Sequence, residues 1–349
     1  MKLLKRKICI FLVIFVIGVI LITGFWFVTR KDNNEVNTIS SFTKKSTIGD
    51  VIHNEAFSGF GHLIFPVDRN YDLNTTLDNI DDIYIWYNYI DDNTTVDIVN
   101  FLKSEADNGH QIFYPIYTEE EMNRDPDRRN VGLFFFRGEE STKTAIINAG
   151  GGFMYVGAMV DSFPHALELS RMGYNAFALI YSLDADLAME DLARATAYLH
   201  DHAHELKIDM SSYSVWGGSA GGRMAAWIST YGTESFGENK NGTVLDTRYI
   251  PDEIDKVSAT PNAVIMAYSF YGRLSVADLS ESTFKDFDLP PTYYVYGTED
   301  PFYRQFNAQV DLLERLNKNI ASQVLDNYPH GFGISGNWAT KVDDWLTSL

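Results

Sequence analysis

From Val131 onward the chain carries seven short apolar runs that do not alternate with polar residues: Val131–Phe136, Thr144–Asn148, Asn175–Tyr181, Tyr213–Trp216, Ala263–Tyr268, Thr292–Tyr296 and Gln323–Leu325. A strand covered on both faces has no wet face to alternate toward, so such runs predict buried strands. Between them the apolar spacing lengthens to that of helices, over about 160–172, 187–204, 220–231 and 302–316, with a last helix over 338–347. Strands that alternate with helices of this length predict an α/β fold with a mostly parallel, doubly wound sheet.

The first 130 residues lack this rhythm. Ile8–Val28 is a 21-residue stretch without a charge, preceded by Lys2, Lys5, Arg6 and Lys7. It is long enough for one membrane-spanning helix, and the basic residues favour a cytoplasmic N-terminus. A cleaved signal peptide is the competing reading, but Thr23-Gly24-Phe25-Trp26-Phe27-Val28 offers no small-x-small cleavage site. The expected organisation is therefore a signal anchor with a transmembrane helix over 1–30, a polar linker over 31–55, an N-terminal extension packed on the core over 56–130, and a catalytic domain over 131–349. The extension is heavy in Asp, Asn and Tyr, with one helix expected near 95–107. On either reading of the N-terminus the catalytic domain lies outside the cytoplasm: on the cell membrane as a single-pass protein, or secreted.

Composition narrows the chemistry. The formal net charge of -19 disfavours nucleic acid and anionic membrane surfaces as partners. Cys9, inside the apolar segment, is the one cysteine, so the exported part can build neither a disulfide, a thiol nucleophile nor a thiolate metal site. No cofactor or metal is expected. His200, His202 and His204 are spaced by two, which does not put them on one helix face.

The strongest chemical signal is Gly217-Gly218-Ser219-Ala220-Gly221, a G-x-S-x-G sequence standing after a predicted strand and before a predicted helix. A serine on that tight turn is pushed out above the sheet at a helix N-terminus, and glycines two residues to either side remove side chains that would clash. A second signal lies upstream, in Asn148-Ala149-Gly150-Gly151-Gly152-Phe153, directly after another strand. Acyl transfer places a full charge on oxygen, and backbone N–H groups stabilise it. The expected oxyanion hole uses the N–H of Gly151, with that of Gly152 as a further candidate, and the N–H of Ala220.

The acid and the base follow the serine in this architecture. Tyr296-Gly297-Thr298-Glu299-Asp300 ends a strand, which makes Asp300 the expected acid, with Glu299 as the alternative. His330 is the one histidine after Ser219 and is the expected base. A histidine base works only when neutral, so activity should rise with pH through the ordinary imidazole range, near ~6.5.

Asn148–Phe153, Tyr174–Tyr181, Glu190–Ala195, Gly217–Arg223, Gly297–Asp300 and His330–Phe332 together resemble, in the same order, motifs of bacterial α/β-hydrolase esterases. The resemblance is to the acetyl-xylan-esterase-like and feruloyl-esterase-like group, related to the hormone-sensitive-lipase-like esterases, and it spans 131–349. Two positions depart from the lipase-like pattern. Ala149 stands where that branch has histidine before the glycines, which leaves the loop to be positioned by something else. Ser182 follows Tyr181 where that branch has arginine.

The resemblance implies a serine carboxylic-ester hydrolase that removes small, acetyl-like acyl groups from a small-molecule or carbohydrate ester. A prolyl-oligopeptidase-like exopeptidase shares fold and triad order, but it usually has Trp-Ser-Tyr-Gly around the serine. A non-catalytic binding module on this fold would normally have lost the serine or the histidine, and both are present here.

Overall fold

A computed structural model describes residues 41–140, 142–233 and 251–349. The expected membrane helix over 1–30 lies outside these residues, as do residues 234–250. Among the described residues no helix is long and apolar enough to cross a membrane.

Every strand expected from the sequence forms. Phe113–Pro115 (β1), Gly132–Phe136 (β2), Lys143–Asn148 (β3), Asn175–Ile180 (β4), Asp209–Gly218 (β5) and Ala263–Ala267 (β6) come first. A small hairpin of Gly272–Arg273 (β7) and Val276–Ala277 (β8) precedes Thr292–Gly297 (β9) and Ile320–Leu325 (β10). Eight of the ten make one sheet in the order β1-β2-β4-β3-β5-β6-β9-β10. From β4 to β10 all pairings are parallel, whereas β1–β2 and β2–β4 are antiparallel. The central strands β2, β4, β6 and β9 are buried along their whole length, which is why their sequences show no alternation.

The connections set where a site can form. From β3 the chain crosses to β4 on one side, then returns past β3 to β5 on the other. Right-handed crossovers therefore put the helix Ser162–Arg171 on one face and the helices Ala185–Asp201 and Ala220–Tyr231 on the opposite one. The ends of β3 and β5 flank this switch point, where the crevice of an open α/β sheet lies.

The extension differs from expectation in two ways. Its helix begins at Asp92, because the Asp91 side chain caps it by accepting from the N–H of Thr94. It also supplies β1, whose Phe113 ring packs 5.0 Å from Phe134 of β2. The described part of the expected linker, 41–55, is folded: Phe42, Ile48 and Val51 are buried, and Thr47 and Asp50 form a capping box around the short helix Ile48–Ile52. Polar composition hid those three apolar anchors.

Candidate active site

Ser219 stands between β5 and the helix Ala220–Tyr231, at φ 49° and ψ −112°, a conformation that a non-glycine residue adopts only under strain. The surroundings hold it there. Its N–H bonds to the Ala267 carbonyl at 3.0 Å, and its carbonyl accepts the Ser269 hydroxyl at 2.8 Å. A Cβ on Gly217 would lie 2.2 Å from the Gly221 carbonyl oxygen, so the turn closes only with glycine at that position.

The structure brings the expected acid and base to this serine. Ser219 Oγ lies 2.9 Å from His330 Nε2, and His330 Nδ1 lies 2.7 Å from Asp300 Oδ2. The second carboxylate oxygen, Oδ1, accepts the N–H of Phe302 at 2.8 Å. With the carboxylate as acceptor, Nδ1 carries the ring proton and Nε2 is left to accept from the serine hydroxyl. The Asp300 side chain is fully buried and that of His330 is about a quarter exposed (0% and 24%), which leaves the base reachable while its partner is dry. Glu299, the alternative acid, is exposed. Tyr268 and Phe302 wall the imidazole edge-on, with ring centroids 5.2 and 5.8 Å away.

The glycine loop after β3 is organised through its carbonyls. The Ala149 carbonyl accepts the Tyr181 hydroxyl at 2.6 Å, that of Gly150 the N–H of Gly157 at 2.9 Å, and that of Gly151 the N–H of Met154 at 3.0 Å. In a trans peptide the N–H points opposite to the carbonyl, and no peptide here is cis. Tying down the carbonyls of Gly150 and Gly151 therefore turns the N–H groups of Gly151 and Gly152 to the other side. Neither of these donors makes a hydrogen bond among the described residues. The N–H of Ala220, in the first turn of its helix, has no intrahelical acceptor. These are the three donors expected from the sequence. Gly150, which carries no such role in the sequence reading, gives its N–H to Asp161 Oδ2 at 2.7 Å.

Residues of the extension complete the surroundings, and sequence reasoning missed them. Trp86 lies over Gly152, where an added Cβ would be 3.0 Å from its ring, and its carbonyl presses on Gly331 beside the base. Asn88 Nδ2 bonds to the His330 carbonyl at 3.4 Å, and the Tyr87 hydroxyl donates to Asp161 Oδ2 at 2.7 Å. The one available signal was the aromatic run Tyr84-Ile85-Trp86-Tyr87-Asn88-Tyr89, set in a segment without periodicity. Burial first, and then the Asp161 carboxylate, hold the phenols of Tyr87, Tyr181 and Tyr268 above their ordinary range, so all three stay protonated donors.

A cavity of about 320 Å3 opens over the end of β4, lined among others by Leu63, Asp68, Asp127, Val156, Tyr181 and Asp184. Ser219 is not among its lining residues.

Comparisons with known proteins agree with the fold. Residues 136–285 match the family model BD-FAE. Among solved structures the fold is similar to a thermophilic esterase of the planctomycete Thermogutta terrifontis with propionate bound, at 17% identity and TM-score 0.51, covering 68% of this chain and 93% of that one. The same values hold for that esterase with butyrate bound. Its form phosphorylated by paraoxon matches at 17% identity and TM-score 0.51, covering 69% of this chain and 96% of that one. No curated protein matches. The chain has the α/β-hydrolase fold.

Proposed function

We propose that this α/β hydrolase is a carboxylic-ester hydrolase in which Ser219 is the nucleophile, His330 the general base and Asp300 the orienting acid. The observation that carries the reading is the continuous hydrogen-bonded path from Ser219 Oγ through His330 to the buried carboxylate of Asp300. His330 Nε2 takes the hydroxyl proton as Ser219 Oγ attacks the acyl carbon, and Asp300 stabilises the imidazolium that forms. The N–H groups of Gly151, Gly152 and Ala220 receive the charge on the carbonyl oxygen. His330 then returns its proton to the leaving alcohol, and water repeats the sequence on the acyl-enzyme.

The preferred substrate is an ester of a small acyl group, acetyl-like, on a carbohydrate or other small alcohol. Two observations support this. Trp86 and Tyr87 crowd the glycine loop beside the nucleophile, and the similar esterase has been captured with the short acids propionate and butyrate. The catalytic domain acts outside the cytoplasmic membrane, a placement that rests on the apolar segment Ile8–Val28 and the basic residues before it.

Hydrolysis of p-nitrophenyl acetate, butyrate and octanoate by residues 32–349, beside Ser219→Ala and a prolyl dipeptide anilide, tests the reading. Activity that is greatest on acetate and lost in the variant is expected. Cleavage of the anilide with the esters left intact would establish the exopeptidase reading instead. Preference for octanoate would remove the small-acyl assignment. Protease accessibility of the catalytic domain in intact cells tests its placement.

A further inference from the structure

Asp161 precedes the helix Ser162–Arg171, the usual position of a capping side chain, yet its side chain makes no capping bond. It turns inward, 1% exposed. Oδ2 accepts the Gly150 N–H and the Tyr87 hydroxyl, each at 2.7 Å, and Oδ1 accepts the Tyr268 hydroxyl at 3.0 Å. No Lys or Arg pairs with it among the described residues; His165 Nδ1, 3.5 Å from Oδ1, is the nearest basic nitrogen recorded. A buried carboxylate without a cation is expensive, and packing alone would be served as well by an apolar side chain. What the carboxylate provides here is three converging acceptor sites, one of them for backbone.

That backbone group belongs to one particular peptide. The N–H of Gly150 and the carbonyl of Ala149 are the two ends of the same planar unit. Asp161 holds the first end at 2.7 Å and Tyr181 holds the second at 2.6 Å. A plane fixed at both ends cannot flip, so the chain enters Gly151 at φ 130° and Gly152 at φ 63° from a set direction. Ala149 offers no side-chain hydrogen bond to do this from within the loop. Asp161 also ties the loop to the extension through Tyr87, and to the wall of the base through Tyr268.

We propose that Asp161 is the positioning residue of the oxyanion hole: its carboxylate clamps the Ala149–Gly150 peptide from the N–H side, as Tyr181 clamps it from the carbonyl side, and so preorganises the N–H groups of Gly151 and Gly152. This rests on the ester-hydrolase reading. Asp161 acts through the loop and does not touch the reacting atoms.

The test compares wild type, Asp161→Asn and Tyr181→Phe on p-nitrophenyl acetate and in binding of an arylboronic acid, which adds to Ser219 as a tetrahedral anion. Asp161→Asn keeps the shape but sets an N–H₂ against the donors. The expected result is a kcat lower by about 10²–10³, the scale of a lost oxyanion donor, with KM changed less than about threefold. Boronic-acid affinity falls in proportion to kcat/KM, which a merely structural role would not produce. Tyr181→Phe removes one hydroxyl from the other end of the same peptide and should lower kcat about tenfold with KM unchanged. A folded Asp161→Asn with wild-type kcat and wild-type boronate affinity overturns the inference. If that variant does not fold, an unchanged kcat in Tyr181→Phe overturns it. Wild-type protein that neither hydrolyses the ester nor takes up paraoxon at Ser219 overturns the hydrolase reading itself, and the inference falls with it.

Discussion

Gly221 lies against the carbonyl of Asn148: a Cβ placed on that glycine would stand 2.0 Å from the oxygen. Gly221 belongs to the serine turn, and Asn148 ends the strand that feeds the glycine loop, so this contact sets the spacing between Ser219 and that loop. The obstacle is backbone, which cannot swing aside. Gly221→Ala should therefore separate the two, at a cost of about 1–3 kcal/mol or more. The expected outcome is a lower Tm together with at least a roughly tenfold loss of kcat. Calorimetry and ester kinetics on the same sample check it, and full activity at an unchanged Tm would contradict it.

Asp300 and Glu299 are neighbours in sequence, but one is buried against His330 and the other is exposed. Asp300→Asn keeps the shape and removes the charge that orients the imidazole. A loss in kcat of about 10²–10⁴ is expected, as for other triads, with KM little changed. Glu299→Gln should stay within about twofold of wild type. Steady-state kinetics of both variants decide which carboxylate serves the base.

Much of this was legible before any coordinates. The strands β2 to β6 and β9 are read from apolar runs because the predicted stretches are covered on both faces, while the hairpin of β7 and β8 is too short and open to give such a run. Ser219 and Asp300 follow β5 and β9, and His330 follows the half-exposed strand β10. The glycine loop was legible as a candidate because it directly follows a strand and lacks side chains that would keep a substrate from its backbone N–H groups. What stayed hidden was created by tertiary packing. Tyr87 and Trp86 lie in a segment without periodicity, and nothing local shows that it crosses the site. Asp161 looks like a helix cap, and only the fold shows that its carboxylate turns the other way. The exchange of histidine for Ala149 did show that something else had to position the loop.

Trp86 is 40% exposed and covers Gly152, in the glycine loop that packs against Ser219 through Gly150. Trp86→Ala removes apolar surface that a bound alcohol group would share. For esters of bulky alcohols KM should rise roughly fivefold or more, the equivalent of about 1 kcal/mol, while p-nitrophenyl acetate is affected less. Kinetics across a series of acetate esters check this. A fall in kcat common to every ester would instead assign Trp86 to holding Gly152.

Arg194 is fully buried and joins three parts of the chain. It donates to the Ile116 carbonyl at 3.0 Å, to Asp252 at 2.6 and 2.8 Å, and to Asp255 at 2.9 Å. The Asp255 side chain is itself only 3% exposed, so losing the guanidinium would strand a charge. Removing one partner of a buried ion pair costs about 3–5 kcal/mol. For Arg194→Ala the expected drop in Tm is on the order of 10 °C, read by thermal unfolding. An unchanged Tm would mean that the 251–256 segment contributes nothing to the fold.

His200 gives the stability a dependence on pH. Burial holds its imidazole below the ordinary value of 6.5, its Nε2 finds no hydrogen-bond partner among the described residues, and its ring sits edge-on to Tyr213 at 5.3 Å. In the unfolded chain the same ring takes up a proton as the pH falls through ~6.5, while in the folded protein it stays neutral to a lower pH. In that window the unfolded state binds more protons, so stability falls as the solution is acidified. Tm measured from pH 7.5 to 5.5 should therefore decline in the wild type, and His200→Leu should decline less over the same range. Parallel slopes for the two proteins would place the acid sensitivity elsewhere.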